Sequence, residues 1–401
     1  MPEPTRVWNP PNPYLTEHRH LLGEPPAAEL EIYEDQSKSI LSRNDSPDIG
    51  FRWSVNPYRG CFHACAYCYA RPTHEYFGFG AGTDFERKIF IKRQAPALLE
   101  QAFRRYAWKG ERVVFSGVTD CYQPLEAAWK LTRGCLEVCL AFRNPVAIIT
   151  KSLLIRRDAE LLASLAREAD AGVSISIAFL DERIARVMDP GAPTIRRRFA
   201  TMELLAKAGV PVGIGIAPVI PGLNDTEIPG LLKEARRRGA SWAFHTLLRL
   251  PGTVKDVFFH RLKEQLPLKA ARIEHRIREV RNGALSESRF GRRHHGQGPY
   301  WESIERLWDV WTRRMGFHED QEETRERPSP ARQEQEPGRA SFRRPPLKGP
   351  QLEFAWEGEA MLYYPTILPD GERAWQGIQS GRASSIRKPS LMPSAARRSP
   401  R

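Results

Sequence analysis

The sequence predicts an α/β fold built on a parallel sheet. Short β-like apolar runs alternate with amphipathic helical stretches, strand then helix, six times between residues 51 and 316. Several of the runs are apolar nearly throughout, as strands covered on both faces must be. With 401 residues, 41% of them hydrophobic, the chain can bury a sizeable core. Repetition of this kind builds right-handed parallel crossovers. It leaves an open doubly wound sheet and a partial barrel both standing. In either, an active site lies at the C-terminal strand ends.

Residues 1–50 are rich in Pro, Glu and Ser and show little periodicity, so an N-terminal extension that partly wraps the core is expected. The strands expected next are 51–55, 113–118, 146–150, 173–178, 212–217 and 242–248. The helices between and after them are 95–108, 125–143, 155–169, 194–208, 227–238 and 254–265. Gly209 and Gly239 stand just past two helices, where a C-cap favours glycine. Asp225 and Thr226 offer an N-cap to another. Cys135 and Cys139, four apart, share one helix face and read as buried structural thiols. Residues 51–318 are thus expected to form one core domain. Residues 319–401 hold 11 prolines among many Arg, Ser, Gln and Glu. That composition buries too little surface to offset chain entropy, and a disordered tail is expected. An aromatic stretch within it, 352–364, is the part suited to docking on the core or a partner.

The formal charge of +13 invites a nucleic-acid reading. The tail carries 14 basic and 12 acidic residues, so residues 1–318 hold +11 of that excess. No run of 18 apolar residues exists and the N-terminus shows no secretory pattern, so a cytoplasmic protein without a membrane span is expected.

Six cysteines in a chain of this size do not make a disulfide scaffold. Three of them, Cys61, Cys65 and Cys68, follow the first strand in the spacing C-x3-C-x2-C. Structural zinc needs four ligands. No second CxxC lies nearby, His63 and His74 are the available fourth ligands, and the triplet is not a finger or ribbon spacing. Three thiolates can instead hold three irons of a [4Fe–4S] cluster and leave the fourth iron open.

The run from Asn56 to Tyr69, NPYRGCFHACAYCY, resembles the radical SAM superfamily, and with the following ARPTHE it resembles the spore photoproduct lyase-like branch of DNA repair photolyase-like proteins. The resemblance covers residues 39–316. It implies a partial (β/α)6 TIM-type barrel, with Cys61, Cys65 and Cys68 on the cluster and S-adenosylmethionine on the open iron. It further implies reductive cleavage to a 5′-deoxyadenosyl radical that abstracts hydrogen from a substrate, with the cofactors carrying the chemistry and the barrel orienting them. A flavodoxin or ferredoxin is the implied reductant, and a monomer is expected.

The resemblance assigns expected roles at the barrel mouth. Thr119 and Asp120, at the second strand end, are expected to bind the methionine amine; capping a helix is the alternative for Asp120. Lys151, at the third, is expected to pair with the methionine carboxylate. Ser176 places a hydroxyl near the cofactor, although Ala178 and Phe179 depart from the polar residues of the branch. Arg198 is a candidate for holding that carboxylate or a pocket carboxylate, within the run Arg196-Arg197-Arg198. Asn224 is a polar contact in a loop expected to pack on adenosine. Tyr67 is expected to lie near the adenine, and Tyr69 flanks Cys68 on the other side. Lys151 and Cys121 are the candidate catalytic groups, with Cys121 read as a hydrogen donor or an inert thiol. The hydrogen-donor cysteine of the lyase has Gly117 in its place here, so the lyase's own route is in doubt.

Basic residues gather late in the core: Arg272, Arg276 and Arg278, then the loop containing Arg292 and Arg293. They suit phosphate tracking or a solvated face. Three readings follow: a radical SAM enzyme acting on nucleic acid, one modifying a protein or small molecule, and a metal-bound interaction protein without catalysis.

Overall fold

A computed structural model describes residues 5–17, 23–317 and 341–346, and the backbone of 362–367 and 373–378. The chain divides into two compact units, one running to Pro345 and one from Pro346. The strands of the first unit are β1 (Glu31–Glu34), β2 (Leu41–Arg43), β3 (Trp53–Val55), β4 (Tyr58–Arg59), β5 (Lys88–Ile91), β6 (Val113–Phe115), β7 (Val146–Thr150), β8 (Ala171–Ser176), β9 (Val212–Val219) and β10 (Trp242–Leu247). Its helices are α1 (Thr83–Arg87), α2 (Ala95–Arg104), α3 (Glu126–Trp129), α4 (Leu131–Ala141), α5 (Ala159–Glu168), α6 (Glu182–Met188), α7 (Ile195–Lys207), α8 (Ile228–Arg237), α9 (Val254–Gln265), α10 (Pro267–Glu279) and α11 (Gly298–Arg314). The second unit holds one antiparallel hairpin, β11 (Leu362–Ile367) with β12 (Arg373–Ile378).

The main sheet runs β10-β9-β8-β7-β6-β3-β2. All of its pairings are parallel except β2 with β3. Six parallel strands in sequence order, without a reversal, give the winding of a barrel rather than of a doubly wound sheet. Among the described residues no pairing joins β10 to β2, so this is an incomplete (β/α)6 barrel. The apolar runs explain it. Val146, Ile148, Val173, Ile175, Val212, Ile214 and Ile216 are all buried, between the sheet's two covers. Cys135 and Cys139 lie in the same core.

Three sequence expectations need correction. The helix expected over 125–143 is two helices, α3 and α4, parted by Lys130 with φ +51°. The buried Glu126 carboxylate drives the break, because it accepts from the backbone N–H of Thr132 (2.9 Å) and Arg133 (3.2 Å) and so caps a new helix start. Asp225 and Thr226 do not cap α8. They form a 3-10 turn, and the Asp225 carboxylate instead accepts from the Tyr300 hydroxyl. Finally, part of the expected tail belongs to the core. Ser341–Arg344 lies against α2 and α4, with the Phe342 ring beside Phe103 and Phe142. The Arg344 guanidinium there donates to the carbonyls of Phe103, Arg105 and Trp108, where α2 ends. The segment 352–361 lies outside the described residues.

The N-terminal stretch is pinned by strand pairing, ring stacking and hydrogen bonds. β1 pairs with β5, Trp8 stacks on His260 at 4.0 Å, and Asn12 donates to the carbonyls of Glu75 and Phe79. At the mouth, residues 289–296 reach from the end of β10 to the connection between β2 and β3. Leu247 N–H donates to His294 C=O, and Arg293 pairs with Asp48 at 2.5 Å. The Arg281 guanidinium sits beneath this loop and donates to the carbonyls of Leu248, Arg292, Arg293 and His295. No helix among the described residues is long and apolar enough to cross a membrane.

Candidate radical SAM active site

The cysteine loop follows β4 and is fixed by its backbone. Cys61 N–H donates to Phe85 C=O (3.0 Å), Ala66 N–H to Met188 C=O (2.8 Å), and Gly191 N–H to His63 C=O (3.1 Å). A Cβ at Gly191 would stand 1.8 Å from the Phe62 carbonyl oxygen, so only glycine lets these loops approach. Two arginines hold the loop's carbonyls. Arg71 donates to Cys65 C=O (2.9 Å) and Arg261, on α9, to Ala64 C=O (2.7 Å). Both also reach the Glu86 carboxylate, at 2.6 and 3.2 Å. Ala64 takes the left-handed conformation at φ +54°, which this clamp offsets.

Cys61, Cys65 and Cys68 are free thiols within electrostatic reach of one another. Burial, with mutual repulsion as a lesser cause, pushes the Cys65 thiol well up, and burial pushes Cys68 up too. A bound cation would replace those protons and relieve that cost, so the donor set fits an iron cluster. Among the described residues no three His, Cys, Asp or Glu side chains converge as a single metal ion requires. His74 Nε2 faces Lys88 C=O at 2.8 Å and its ring packs on Phe85 and Phe90.

The strand ends deliver polar groups to this loop. Asp120 accepts from Thr150 Oγ1 (2.7 Å), Lys151 N–H (2.8 Å) and Tyr122 N–H (2.9 Å), and pairs with His63 Nδ1 at 3.3 Å. Burial opposes its charge, yet the His63 imidazolium and these donors hold its pKa at about 2. Burial likewise opposes the His63 cation, yet Cys61 and Asp120 raise its pKa to about 10. Asp189 is a second buried carboxylate. It accepts from the Tyr67 hydroxyl at 2.5 Å and pairs with Arg198 at 3.3 Å. The Lys151 ammonium lies 5.6 Å from the Tyr67 ring centroid. Burial pulls Lys151 down, but Cys65 and Asp189 outweigh it and its pKa is raised. Sequence alone offered His63 only as a zinc ligand and showed neither its pairing with Asp120 nor the roles of Asp189 and the Arg71–Glu86–Arg261 clamp. His63 within the triplet was the one visible signal, because the others meet only through the fold.

The structure brings Tyr67, Asp120, Lys151 and Arg198 around the cysteine loop and gives other candidates different work. Arg198 takes the pocket carboxylate, Asp189, and also donates to Ser176 C=O (3.2 Å). The Ser176 side chain is buried at the end of β8. Thr119 donates to Tyr58 C=O (2.7 Å), latching the second strand end to β4. The Asn224 amide is fully engaged as a donor, to Ala178 C=O (2.6 Å) and Pro218 C=O (3.0 Å), and its oxygen accepts from Ile220 N–H. It braces its loop and has no donor left for a ligand. Cys121 lies in the main apolar core, where burial pushes its thiol well up. A Cβ at Gly117 would stand 2.9 Å from Ser54 Cβ, so that position has no room for a cysteine.

A model of the radical SAM superfamily matches residues 55–235. An uncharacterized protein of Mycobacterium tuberculosis strain H37Rv is 35% identical over 232 residues, 57% of this chain and 68% of that protein. An uncharacterized protein of Methanocaldococcus jannaschii is 28% identical over 200 residues, covering 50% and 72%. Among solved structures, spore photoproduct lyase complexed with dinucleoside spore photoproduct aligns at a TM-score of 0.50 and 16% identity, over 71% of this chain and 79% of that one. A single-site mutant of the lyase aligns at 0.51 and 15%, over 76% and 87%. These share its fold. Members of the superfamily use a [4Fe–4S] cluster and S-adenosylmethionine with an external reductant. The matched segment contains the cysteine loop and the C-terminal ends of five of the six parallel strands, and this chain belongs to the radical SAM superfamily.

Proposed function

We propose that Cys61, Cys65 and Cys68 ligate a [4Fe–4S] cluster and that the chain is a radical SAM enzyme abstracting hydrogen from a substrate at the barrel mouth. The carrying observation is that three free thiols lie within electrostatic reach of one another and of the Lys151 ammonium, which in turn reaches Asp120 and Asp189. Held by these thiolates and reduced from outside, a [4Fe–4S] cluster would supply the electron for cleavage of the sulfonium C–S bond of S-adenosylmethionine to methionine and a 5′-deoxyadenosyl radical. The chain's own residues bind and orient. The Lys151 ammonium suits the methionine carboxylate, while Asp120, held ionised, suits the amine. Tyr67, fixed by Asp189, and the apolar wall of Ile177, Ala178 and Phe179 exclude water from the reacting end.

Anaerobic reconstitution followed by incubation with S-adenosylmethionine and dithionite tests this. The wild type is expected to form 5′-deoxyadenosine, and Lys151→Met to lose it by about 100-fold, as removal of one positioning charge does. Equal product from both proteins contradicts the assignment of Lys151. For the substrate, nucleic acid is the first reading, and Arg272 and Arg292 are its exposed cations. Arg276 and Arg293 support it less, because they pair with Glu279 and Asp48. Modification of a protein or small molecule is the second reading, supported by that neutralisation.

A further inference from the structure

A cavity of about 430 Å³ opens where β10 ends, walled by Arg249, Lys255, Arg278, Ser286, Glu287 and Ser288 among others. Its charges are unevenly matched. The Glu287 carboxylate is engaged with the Arg289 guanidinium and with the N–H groups of Ser288 and Arg289. Arg278 is held by Glu274 and by Gly283 C=O. Arg249 and Lys255 have no carboxylate within ion-pair distance among the described residues. Arg249 Nε is buried without a hydrogen-bond partner. Burial, and then Arg293 close by, lowers the Arg249 pKa, against the weaker pull of Tyr69 and Asp48. Lys255 lies in the first turn of α9, whose positive end adds to the field.

This cavity borders the cysteine loop. Arg249 is within electrostatic reach of Tyr69, the residue after Cys68. Gly252 lies beside Pro72, 3.9 Å from the position a Cβ would take. A group held here thus stands next to the candidate radical site rather than on the outer face of α10.

We propose that this pocket anchors a phosphate group of the substrate, with Arg249 and Lys255 as its charged contacts and Ser286 and Ser288 as hydroxyl donors. A guanidinium fork, an ammonium and two hydroxyls match a group with several anionic oxygens better than a single carboxylate. The inference deepens the proposed function and rests on it only for what the phosphate is attached to. The pocket is built late in the core and owes nothing to Arg272, Arg276 or Arg292.

Titration calorimetry on the full reconstituted chain tests it with three probes: inorganic phosphate, a deoxynucleoside 5′-monophosphate and a dinucleoside phosphodiester. The wild type is expected to bind at least one of them in the millimolar range or tighter. Arg249→Met/Lys255→Met is expected to weaken that binding by about tenfold or more. Ser286→Ala/Ser288→Ala, which removes no charge, is expected to weaken it less, and Lys207→Met on α7 not at all. A preference for the diester marks a nucleic-acid backbone, and a preference for the monoester or free phosphate marks a small phosphorylated substrate. No binding of any probe, or equal binding by the wild type and Arg249→Met/Lys255→Met with both folded by circular dichroism, overturns the pocket. Because binding is read without turnover, a wild type that binds phosphate but forms no 5′-deoxyadenosine would sink the radical reading and leave the pocket standing.

Discussion

At the scale of residues, the site is organised by two buried carboxylates rather than by the cysteines alone. Asp189 is fully buried and joins Tyr67 from the cysteine loop to Arg198 on α7. Its ordinary pKa is lowered, since Lys151 and Arg198 outweigh the burial that raises it. Removing it strands a guanidinium whose side chain is 1% exposed. Asp189→Ala is therefore expected to lower the unfolding free energy by about 3–5 kcal/mol, read from urea denaturation; a loss below about 1 kcal/mol contradicts a buried ion pair at this point. Spacing alone pointed to Cys61, Cys65 and Cys68, since their chemistry is written in eight consecutive residues. Asp189 and Glu86 were illegible as partners. Their contacts lie up to 122 and 175 residues away, and no local pattern encodes such pairs.

Among the elements, the central strands were readable because burial on both faces requires unbroken apolar runs, as in Val146–Thr150. β1, β2 and β5 were not, because they are short and partly exposed, β1 and β2 at sheet edges. The break at Lys130 was hidden for a different reason. It depends on a carboxylate choosing to cap α4, against a helical pattern that runs through. The loop 289–296 also shows what sequence could not. Its basic residues suggested a binding surface, whereas Arg293 is engaged with Asp48, and Arg281 supports the loop from beneath. Arg281→Met is expected to raise amide hydrogen exchange at 289–296 by about tenfold or more while leaving β7–β9 unchanged. Uniform protection in that loop would show that Arg281 does not hold it. His294, in the same loop, has its pKa lowered to about 4, first by burial and then by Arg249 and Arg293. The unfolded chain, with an ordinary histidine value near 6.5, takes the proton first. The stability contribution is thus complete above about pH 6.5 and is lost as pH falls toward 4. His294→Gln is expected to flatten that part of the pH profile of the urea midpoint, and an unchanged profile argues against a neutral buried imidazole.

Across the whole molecule, no pairing joins β10 to β2 among the described residues, and a polar loop reaches between them at the mouth. The charge of +13 then has several fates. Some cations hold the cysteine loop (Arg71, Arg261), some balance buried carboxylates (Arg198, Lys151), and some, Arg249 and Lys255, are left facing a cavity beside the site. Above all, we propose that Cys61, Cys65 and Cys68 hold a cluster whose open iron would take S-adenosylmethionine. Electron paramagnetic resonance of the reduced, reconstituted protein, recorded before and after S-adenosylmethionine is added, tests it directly. About four irons per chain by metal analysis are expected, and a spectrum that shifts on addition, because the open iron would gain a ligand, with the signal lost in Cys65→Ala. A spectrum that S-adenosylmethionine leaves unchanged, or one zinc per chain with no cluster signal, would contradict it.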